Sequence, residues 1–199
     1  NNKIVCNHAK YIVDIAKSYL VGNPVAYSCS DGYDIEAVKN CFAVQDMPSL
    51  DAEFEKTMSI FGKAYELVYA DEQSQPKSVC LPPRNTFIVY GAGVGEIPLY
   101  GIHYYKKRDI DGAVTGVCCI VCDREMIYTY ENTADSFLHM TMTNSQHHYF
   151  GKMPMVEYRN NEEKQGDFEQ MIPLIDAYNI LESDRVNDKE QFVDAFLFL

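Results

Sequence analysis

The last stretch of the chain, residues 156–199, constrains the fold most, because a β-rich body there gives way to one long predicted helix. Apolar residues recur in it at three- and four-residue steps, which is the spacing of one helix face. They are Met171, Leu174, Tyr178 and Leu181 and, after a polar middle, Phe192, Phe196 and Leu199. About 33 helical residues rise about 50 Å, which is too long to pack on one face of a domain of this size. We therefore expect the helix to find partners outside this chain.

The predicted helix has a start signal but no stop signal. Asp167 is its expected N-cap, with Gln170 at position N3, and such a capping box satisfies two backbone amide donors. Residues 195–199 are apolar and lack the Gly, Asn or basic residue that usually ends a helix, so we expect the natural chain to continue. Before the helix, the polar stretch RNNEEKQG is a predicted hinge. The sequence thus divides into a body (1–158), a hinge (159–166) and the start of a long helix (167–199).

Three shorter helices are predicted near the amino terminus. Asn7 caps a helix over residues 8–19, which Gly22 and Pro24 end. A second helix covers residues 35–44, and a third covers residues 50–60 with Gly62 as its stop signal.

After these helices the hydrophobic period changes to that of strands. Turn signals such as Asp111-Gly112 separate the strands. Predicted strands cover residues 64–69, 86–90, 99–106, 114–122, 126–131 and 137–143, with a last extended segment at 150–158. This order predicts an α+β fold, in which an antiparallel β-meander is flanked by helices and followed by one long carboxy-terminal helix.

The charge of the chain argues against one class of function. There are 29 acidic against 17 basic residues, a net charge of −12, whereas a protein that grips DNA presents clustered Lys and Arg to the phosphates. We therefore expect no tight DNA binding. No run approaches the roughly 20 apolar residues of a membrane span. The seven cysteines lack the spacing of a disulfide framework and predict free thiols in a reducing compartment.

The sharpest candidate for chemistry is the strand that contains Cys118, Cys119 and Cys122, because Cys119-x-x-Cys122 has the spacing of zinc or redox sites. A zinc site needs a second pair that the sequence does not offer, and Cys119 and Cys122 would point to opposite faces of a strand. A Cys119–His103 nucleophile pair across neighbouring strands has no evident third residue. No GxxxxGK[ST] motif is present. We therefore predict a protein that is not an enzyme and has no cofactor and no metal.

Four segments carry a family resemblance. They are NNKIVCNHAKYIVDIAKSYLVGNPVAY at residues 1–27, MSIFGKAYELVYADE at 58–72, LPPRNTFIVY at 81–90 with IPLYGIHYYKKRD at 97–109, and HHYFGKMPMVEYRNNEEKQGDFEQMIPLIDAYN at 147–179. In this order and spacing they resemble the portal proteins of tailed bacteriophages, of the siphophage type, nearly from end to end. The chain departs from the family pattern at residues 91–95 and at Pro173, which affects the expected shape of loops.

The resemblance implies the wing region and first stem helix of a phage or prophage portal subunit, without the amino-terminal segment, clip, second stem helix, tunnel loop and crown. It implies a cyclic homo-oligomer, a dodecamer in the full-length parent, through which double-stranded DNA passes without sequence-specific binding during packaging and ejection. The implied partners are the packaging terminase, the capsid and head-tail adaptor proteins. The implied location is the virion, with assembly in the host cytoplasm and no membrane.

An acidic chain suits such a conduit, because an acidic wall does not hold phosphates; in other acidic chains the excess charge only keeps the surface soluble. The candidate channel or subunit-interface residues belong to the long helix. They are Asp167, Glu169, Asp176, Tyr178, Glu182, Asp184, Asp188, Phe192 and Phe196. Two alternatives stay open: a stand-alone enzyme or metal site that uses the Cys118–Cys122 strand, and a binding module that docks its helix on a partner.

Overall fold

Three helices precede the first strand in the computed structural model, which describes residues 2–195. They are α1 (His8–Val21), α2 (Glu36–Val44) and α3 (Met47–Phe61). Helix α1 begins where the sequence predicts, because the side chain of Asn7 accepts a hydrogen bond from the Lys10 amide at 2.9 Å and so caps the helix. Helix α3 begins at Met47 instead of residue 50, because Pro48 in its first turn holds a helical φ.

Eight strands follow in the described part of the chain, and they form two antiparallel sheets. The strands are β1 (Lys63–Ala70), β2 (Pro76–Leu81), β3 (Thr86–Tyr90), β4 (Pro98–Arg108), β5 (Val114–Cys122), β6 (Met126–Asn132), β7 (Thr141–His147) and β8 (Met155–Arg159). Strands β3 to β7 form a five-stranded meander, and β2, β1 and β8 form a three-stranded sheet with β1 at its centre. The α+β class and the antiparallel meander are therefore confirmed, but the meander is one of two sheets.

Two strands differ from the prediction. Strand β2 has no predicted counterpart, because its sequence PKSVCL begins with a proline and has little apolar alternation; the edge of a sheet tolerates that proline. Strand β7 lies at Thr141–His147 instead of residues 137–143. The side-chain amide of Asn132 donates to the carbonyls of Ser136 at 3.0 Å and Leu138 at 2.9 Å, which holds the predicted start of that strand in a turn.

The main apolar core contains residues of both sheets. Its buried residues are Tyr65, Leu67, Leu81, Cys122 and Met155. Gly101 in β4 lies so close to them that an added Cβ would be 2.7 Å from the Met155 Cβ and 2.8 Å from the Cys122 Sγ. A larger residue at this position would therefore push the two sheets apart and lose apolar burial, which contributes about 25 cal/mol per Å².

Two tyrosine–glutamate pairs join β1 to β8. The Tyr65 hydroxyl donates to the Glu157 carboxylate at 2.8 Å, and the Tyr158 hydroxyl donates to the Glu66 carboxylate at 2.7 Å. Burial, followed by these hydrogen bonds, raises the pKa of both phenols. Although burial has the opposite effect, the pKa of Glu157 is lowered, because hydrogen bonds from Arg159 and Tyr65 outweigh burial. Because each strand supplies one Tyr and one Glu, the pairs fix the register of strands that are 92 residues apart.

The loop between β8 and the long helix is held by side-chain amides. The side chains of Asn160 and Asn161 both donate to the Gln165 carbonyl, at 3.0 and 2.8 Å. The Asn160 backbone amide donates to the Gly62 carbonyl at 3.0 Å, which ties the loop to the end of α3. Whether residues 159–166 also act as a hinge stays a prediction.

The long helix α4 (Ile172–Ala195) follows a 3₁₀ turn at Glu169–Met171. It begins at Ile172 instead of Asp167, because Pro173 fits only the first turn of a helix. Within residues 2–195 no helix is both long and apolar enough to cross a membrane.

Residues 2–6, here called the strap, bind one face of α4 through their backbone. Backbone amides of alternate strap residues donate hydrogen bonds to polar side chains that lie four residues apart on the helix. We call this set of hydrogen bonds the amide ladder. The pairs are Asn2 with Asn187 at 2.9 Å, Ile4 with Ser183 at 3.0 Å and Cys6 with Asn179 at 2.8 Å. Two residues of extended chain span about 6.6 Å and four residues of helix rise about 6 Å, so the two repeats match over this length.

Gly62 and Gly32 form a matched pair for testing the contact between α3 and the loop. Both have a left-handed φ, +74° and +71°, but an added Cβ would lie 1.9 Å from the Lys164 carbonyl oxygen at Gly62 and would meet nothing within 4 Å at Gly32. We expect Gly62→Ala to lower the free energy of unfolding by about 3 kcal/mol and Gly32→Ala by about 1 kcal/mol. Urea unfolding measures both, and equal effects would show that the contact is absent in solution.

Loss of the amide ladder should free the strap. We expect the double variant Asn179→Ala with Asn187→Ala to speed hydrogen exchange at the strap amides about tenfold or more, because two of the three acceptors are gone. Gln191→Ala, at an exposed position of the same helix, is the control and should leave exchange unchanged. Hydrogen–deuterium exchange of the amino-terminal peptide gives the measurement, and unchanged protection in the double variant would contradict the ladder.

Candidate functional site

The residues predicted for function on the long helix lie at three levels of the structure. The first level is the root of α4, the second is its first half, and the third is its second half. In that order they are Asp167 and Glu169, then Asp176 and Tyr178, then Glu182, Asp184, Asp188 and Phe192. Phe196 lies outside the described residues. The helix rises about 24 Å between the second level and the end of the third, so these residues form no single cluster, and their roles in a channel or an interface stay predictions.

Asp167 links the root of α4 to α3 and does not cap the helix. Its carboxylate accepts hydrogen bonds from the Ser59 hydroxyl at 2.6 Å and from the Asn160 side-chain amide at 2.7 Å. Its own amide donates to the Ser59 carbonyl at 2.9 Å. The predicted capping box is therefore wrong, because both carboxylate oxygens are engaged by α3 and the loop. The Glu169 carboxylate instead accepts from the Gly166 amide at 3.1 Å.

Glu55 on α3 lies close to this link and is 6% exposed. Burial, and after it the charge of Asp167, raises its pKa above that of an ordinary glutamate. One turn earlier on α3, burial and then the charge of Glu66 raise the pKa of Asp51. The root of α4 therefore stands next to one buried carboxyl group, that of Glu55, which Asp167 repels when both are ionised.

Asp176 and Tyr178 lie beside the amino-terminal segment. Asp176 lines the groove between the strap and α4. Tyr178 packs edge-on against the ring of His8, with the ring centres 5.1 Å apart. This contact joins α4 to the first turn of α1, so Tyr178 already has a partner within the chain.

Away from the strap, the second half of α4 presents side chains to solvent. Asp184 and Asp188 are exposed, and Glu182 pairs with Arg185 at 3.7 Å. Large apolar side chains are exposed as well, both here and in the first half of the helix. They are Leu174, Leu181 and Phe192, at 62%, 67% and 68%. Exposed apolar groups along one helix are typical of a surface that binds another protein.

Strand β5, which carries three cysteines, has the properties of a packed strand. All seven cysteines of the chain are free thiols, as the sequence predicts. Cys119 pairs with Tyr104 and Cys122 with Gly101 in the register of β4, so the two thiols point to opposite faces of the sheet, as expected. Burial raises the pKa of Cys119 and raises that of Cys122 to about 11. A nucleophilic cysteine has a depressed pKa, which is the opposite shift.

His103 also faces away from Cys119. Its partner in β5 is Ile120, one residue further along the strand and therefore on the other face. The His103 Nδ1 is hydrogen bonded to the Thr86 hydroxyl at 2.8 Å, and burial lowers the pKa of the imidazole. The Cys119–His103 nucleophile pair is therefore wrong.

The residues that hold α4 in place are not among those predicted from the sequence. Asn179, Ser183 and Asn187 are uncharged polar residues at four-residue steps, and this repeat is a signal for one polar face of a helix. Ser59 and Asn160 carry no such signal, because no local sequence pattern relates them to Asp167, the residue that both of them bind.

We expect Glu55→Gln to stabilise the chain at neutral pH. The raised pKa means that the folded state favours the neutral acid, so the stabilising contribution of Glu55 is full below the ordinary glutamate pKa of 4.5 and is lost as the pH rises through its folded pKa. The gain from the substitution should therefore grow as the pH rises from 4.5 through the folded pKa of Glu55. Urea unfolding across this range measures it. Glu53→Gln, at an exposed position of the same helix, should change little, and lower stability of Glu55→Gln at the upper pH would contradict the expectation.

Comparison with known proteins relates the chain to one family. The family model described as "Phage portal protein, SPP1 Gp6-like" matches residues 1–199. A curated relative, the portal protein of Bacillus phage SPP1, is 28% identical over 208 residues. That alignment covers 97% of this chain and 41% of the relative, so the chain spans less than half of the relative's length. Because the family model matches the whole chain, the chain belongs to the family of SPP1 Gp6-like phage portal proteins.

Proposed function

We propose that this chain is the wing region and first stem helix of a portal subunit, whose full-length parent assembles into a ring at one vertex of a phage capsid. The family match over residues 1–199 supports a portal subunit. The order of elements supports the regional assignment, because an α+β body of three helices and two sheets precedes one long helix. The proposed ring is a dodecamer in the full-length parent.

The exposure of α4 is the observation that carries this proposal. None of residues 172–193 is buried, although the strap covers one face of the helix. Helices in proteins gain most of their stability from packing an apolar face, so copies of the chain are the proposed source of the missing packing. Contacts in which one face of a subunit meets a different face of the next close into a ring when the rotation allows it.

The charge of α4 suits a wall along which DNA moves. The helix has six acidic and two basic residues. An acidic wall does not retain phosphates, because each absent Lys or Arg contact removes affinity that counterion release would supply. The proposed lumen or interface positions include Asp176, Asp184 and Asp188. Double-stranded DNA then passes along the axis during packaging and ejection without sequence-specific binding.

The proposed mechanism is mechanical and steric, and it needs no catalytic residue. The ring positions the packaging terminase, passes DNA through its channel and later joins the head to the tail through capsid and adaptor proteins. The subunit is then a component of the virion and assembles in the host cytoplasm.

Particle mass tests the ring. The full-length parent is compared with the 199-residue chain by light scattering and negative-stain microscopy. We expect rings with a central channel from the full-length parent. A monodisperse monomer at high concentration would contradict the proposal, and a defined complex with a different protein, without self-assembly, would favour a helix-docking binding module.

A further inference from the structure

A cleft between α1 and α3 has a rim of lysines in a chain that is otherwise strongly acidic. Its volume is about 400 Å³, and residues from both helices and from the root of α4 line it. Lys10, Lys17 and Lys56 stand around a floor that includes Val13, Ile60 and Phe168. We call this feature the lysine-rimmed cleft.

The positive charge of the rim is only partly neutralised. Lys10 pairs with Asp14, which also lines the cleft. Lys17 and Lys56 form no ion pair within residues 2–195. The hydrogen bond from Lys10, with the charges of the three lysines, outweighs burial and lowers the pKa of Asp14. Three lysines and one ionised aspartate leave a charge of +2 at the cleft.

The cleft combines an apolar floor with a basic rim. Tyr11 and Ile15, which are exposed apolar residues of α1, do not line it. Ile15 lies about 160° around the helix from Val13 and Lys17.

Helix α4 carries a surface with the opposite charge. The amide ladder occupies one side of the helix, and the face roughly opposite to it combines apolar and acidic residues. This outer face of α4 includes Leu174, Leu181, Asp184, Asp188 and Phe192, together with one basic residue, Arg185, which pairs with Glu182. Its apolar members are more than 60% exposed, and its aspartates form no ion pair in the described part of the chain.

The outer face of α4 does not reach the cleft of its own chain. Helix α4 starts a few residues after Phe168, which lines the cleft, and its acidic residues lie several turns further on. In the described residues no ion pair joins a lysine of the rim to an aspartate of α4. A second copy of the chain is therefore the occupant that brings the two surfaces together.

We propose that the lysine-rimmed cleft of one subunit binds the outer face of α4 of a neighbouring subunit. This inference rests on the proposed ring and specifies one of its interfaces. Opposite charges on two unlike surfaces orient the contact and disfavour pairing of like surfaces. The apolar floor of the cleft and the exposed side chains of Leu174, Leu181 and Phe192 supply the apolar part of the contact.

The proposed contact is heterologous, since the cleft and the outer face of α4 are different surfaces of one chain. Each subunit therefore offers both surfaces, and repetition of the contact leads to a closed ring or an open filament, depending on the rotation. A contact between two identical surfaces would end at a dimer. The charge pattern thus favours the type of interface that a ring requires.

Charge reversal tests the contact in the full-length parent. One variant combines Lys17→Glu with Lys56→Glu, a second combines Asp184→Lys with Asp188→Lys, and a third carries all four changes. The matched control carries Lys39→Glu and Lys152→Glu, which are exposed lysines on other surfaces. Mass photometry over a dilution series gives the concentration at which half of the protein is assembled, and circular dichroism checks that each variant is folded.

We expect each double reversal to raise the half-assembly concentration about tenfold or more, and the fourfold variant to return to within about threefold of the parent. The control should assemble like the parent. Normal assembly of the double reversals, or a fourfold variant weaker than either of them, would overturn the inference and leave the ring itself intact. A parent that stays monomeric at every concentration would overturn the ring and this contact together.

Discussion

The placement of α4 depends on the pairing of β1 with β8. Strand β1 is the centre of its sheet, and β8 returns to it after the whole five-stranded meander. The Tyr65–Glu157 and Tyr158–Glu66 hydrogen bonds specify this register. Removal of Tyr158 would leave the buried Glu66 carboxylate without its hydrogen-bond donor, which is costly in a medium of low dielectric. Glu157 would keep Arg159 and Lys164 as partners after removal of Tyr65. After Arg159 the chain forms no further strand within the described residues. This junction therefore fixes where the loop begins, and contacts with Ser59, His8 and the strap then place the helix.

The parts of the fold that sequence predicts are those with local causes. The cap at Asn7, the stop at Gly62 and the turns between the meander strands act over a few residues, and each is visible in the printed sequence. Strand β2 and the division into two sheets depend on pairing across long separations, which periodicity does not report. The sequence predicts a start of α4 that is too early, because Asp167 is a typical N-cap residue, whereas Pro173 and the hydrogen bond from Ser59 to Asp167 decide the geometry.

The same distinction between local and long-range causes applies to the candidate site. Acidic and aromatic residues of the long helix are identifiable from composition and spacing, and the structure shows most of them exposed. Their surroundings are not identifiable, since the groups beside them come from α1, α3 and the strap. Tyr178 is an example, because its contact with His8 joins residues that no local pattern relates. The lysines of the cleft are scattered over two helices, and only the packing of α1 on α3 makes them neighbours.

The amide ladder binds the strap through its backbone, so these hydrogen bonds place little constraint on the side chains of the strap. An amide donor is present in every residue type except proline, so most substitutions at the alternating strap positions keep the hydrogen bonds. The side chains between them, such as Lys3 and Val5, point to solvent. The surface chemistry of this segment can therefore change while the orientation of the helix behind it is preserved. A single layer of hydrogen bonds therefore lets the exposed side chains of the strap vary without a change in the position of α4.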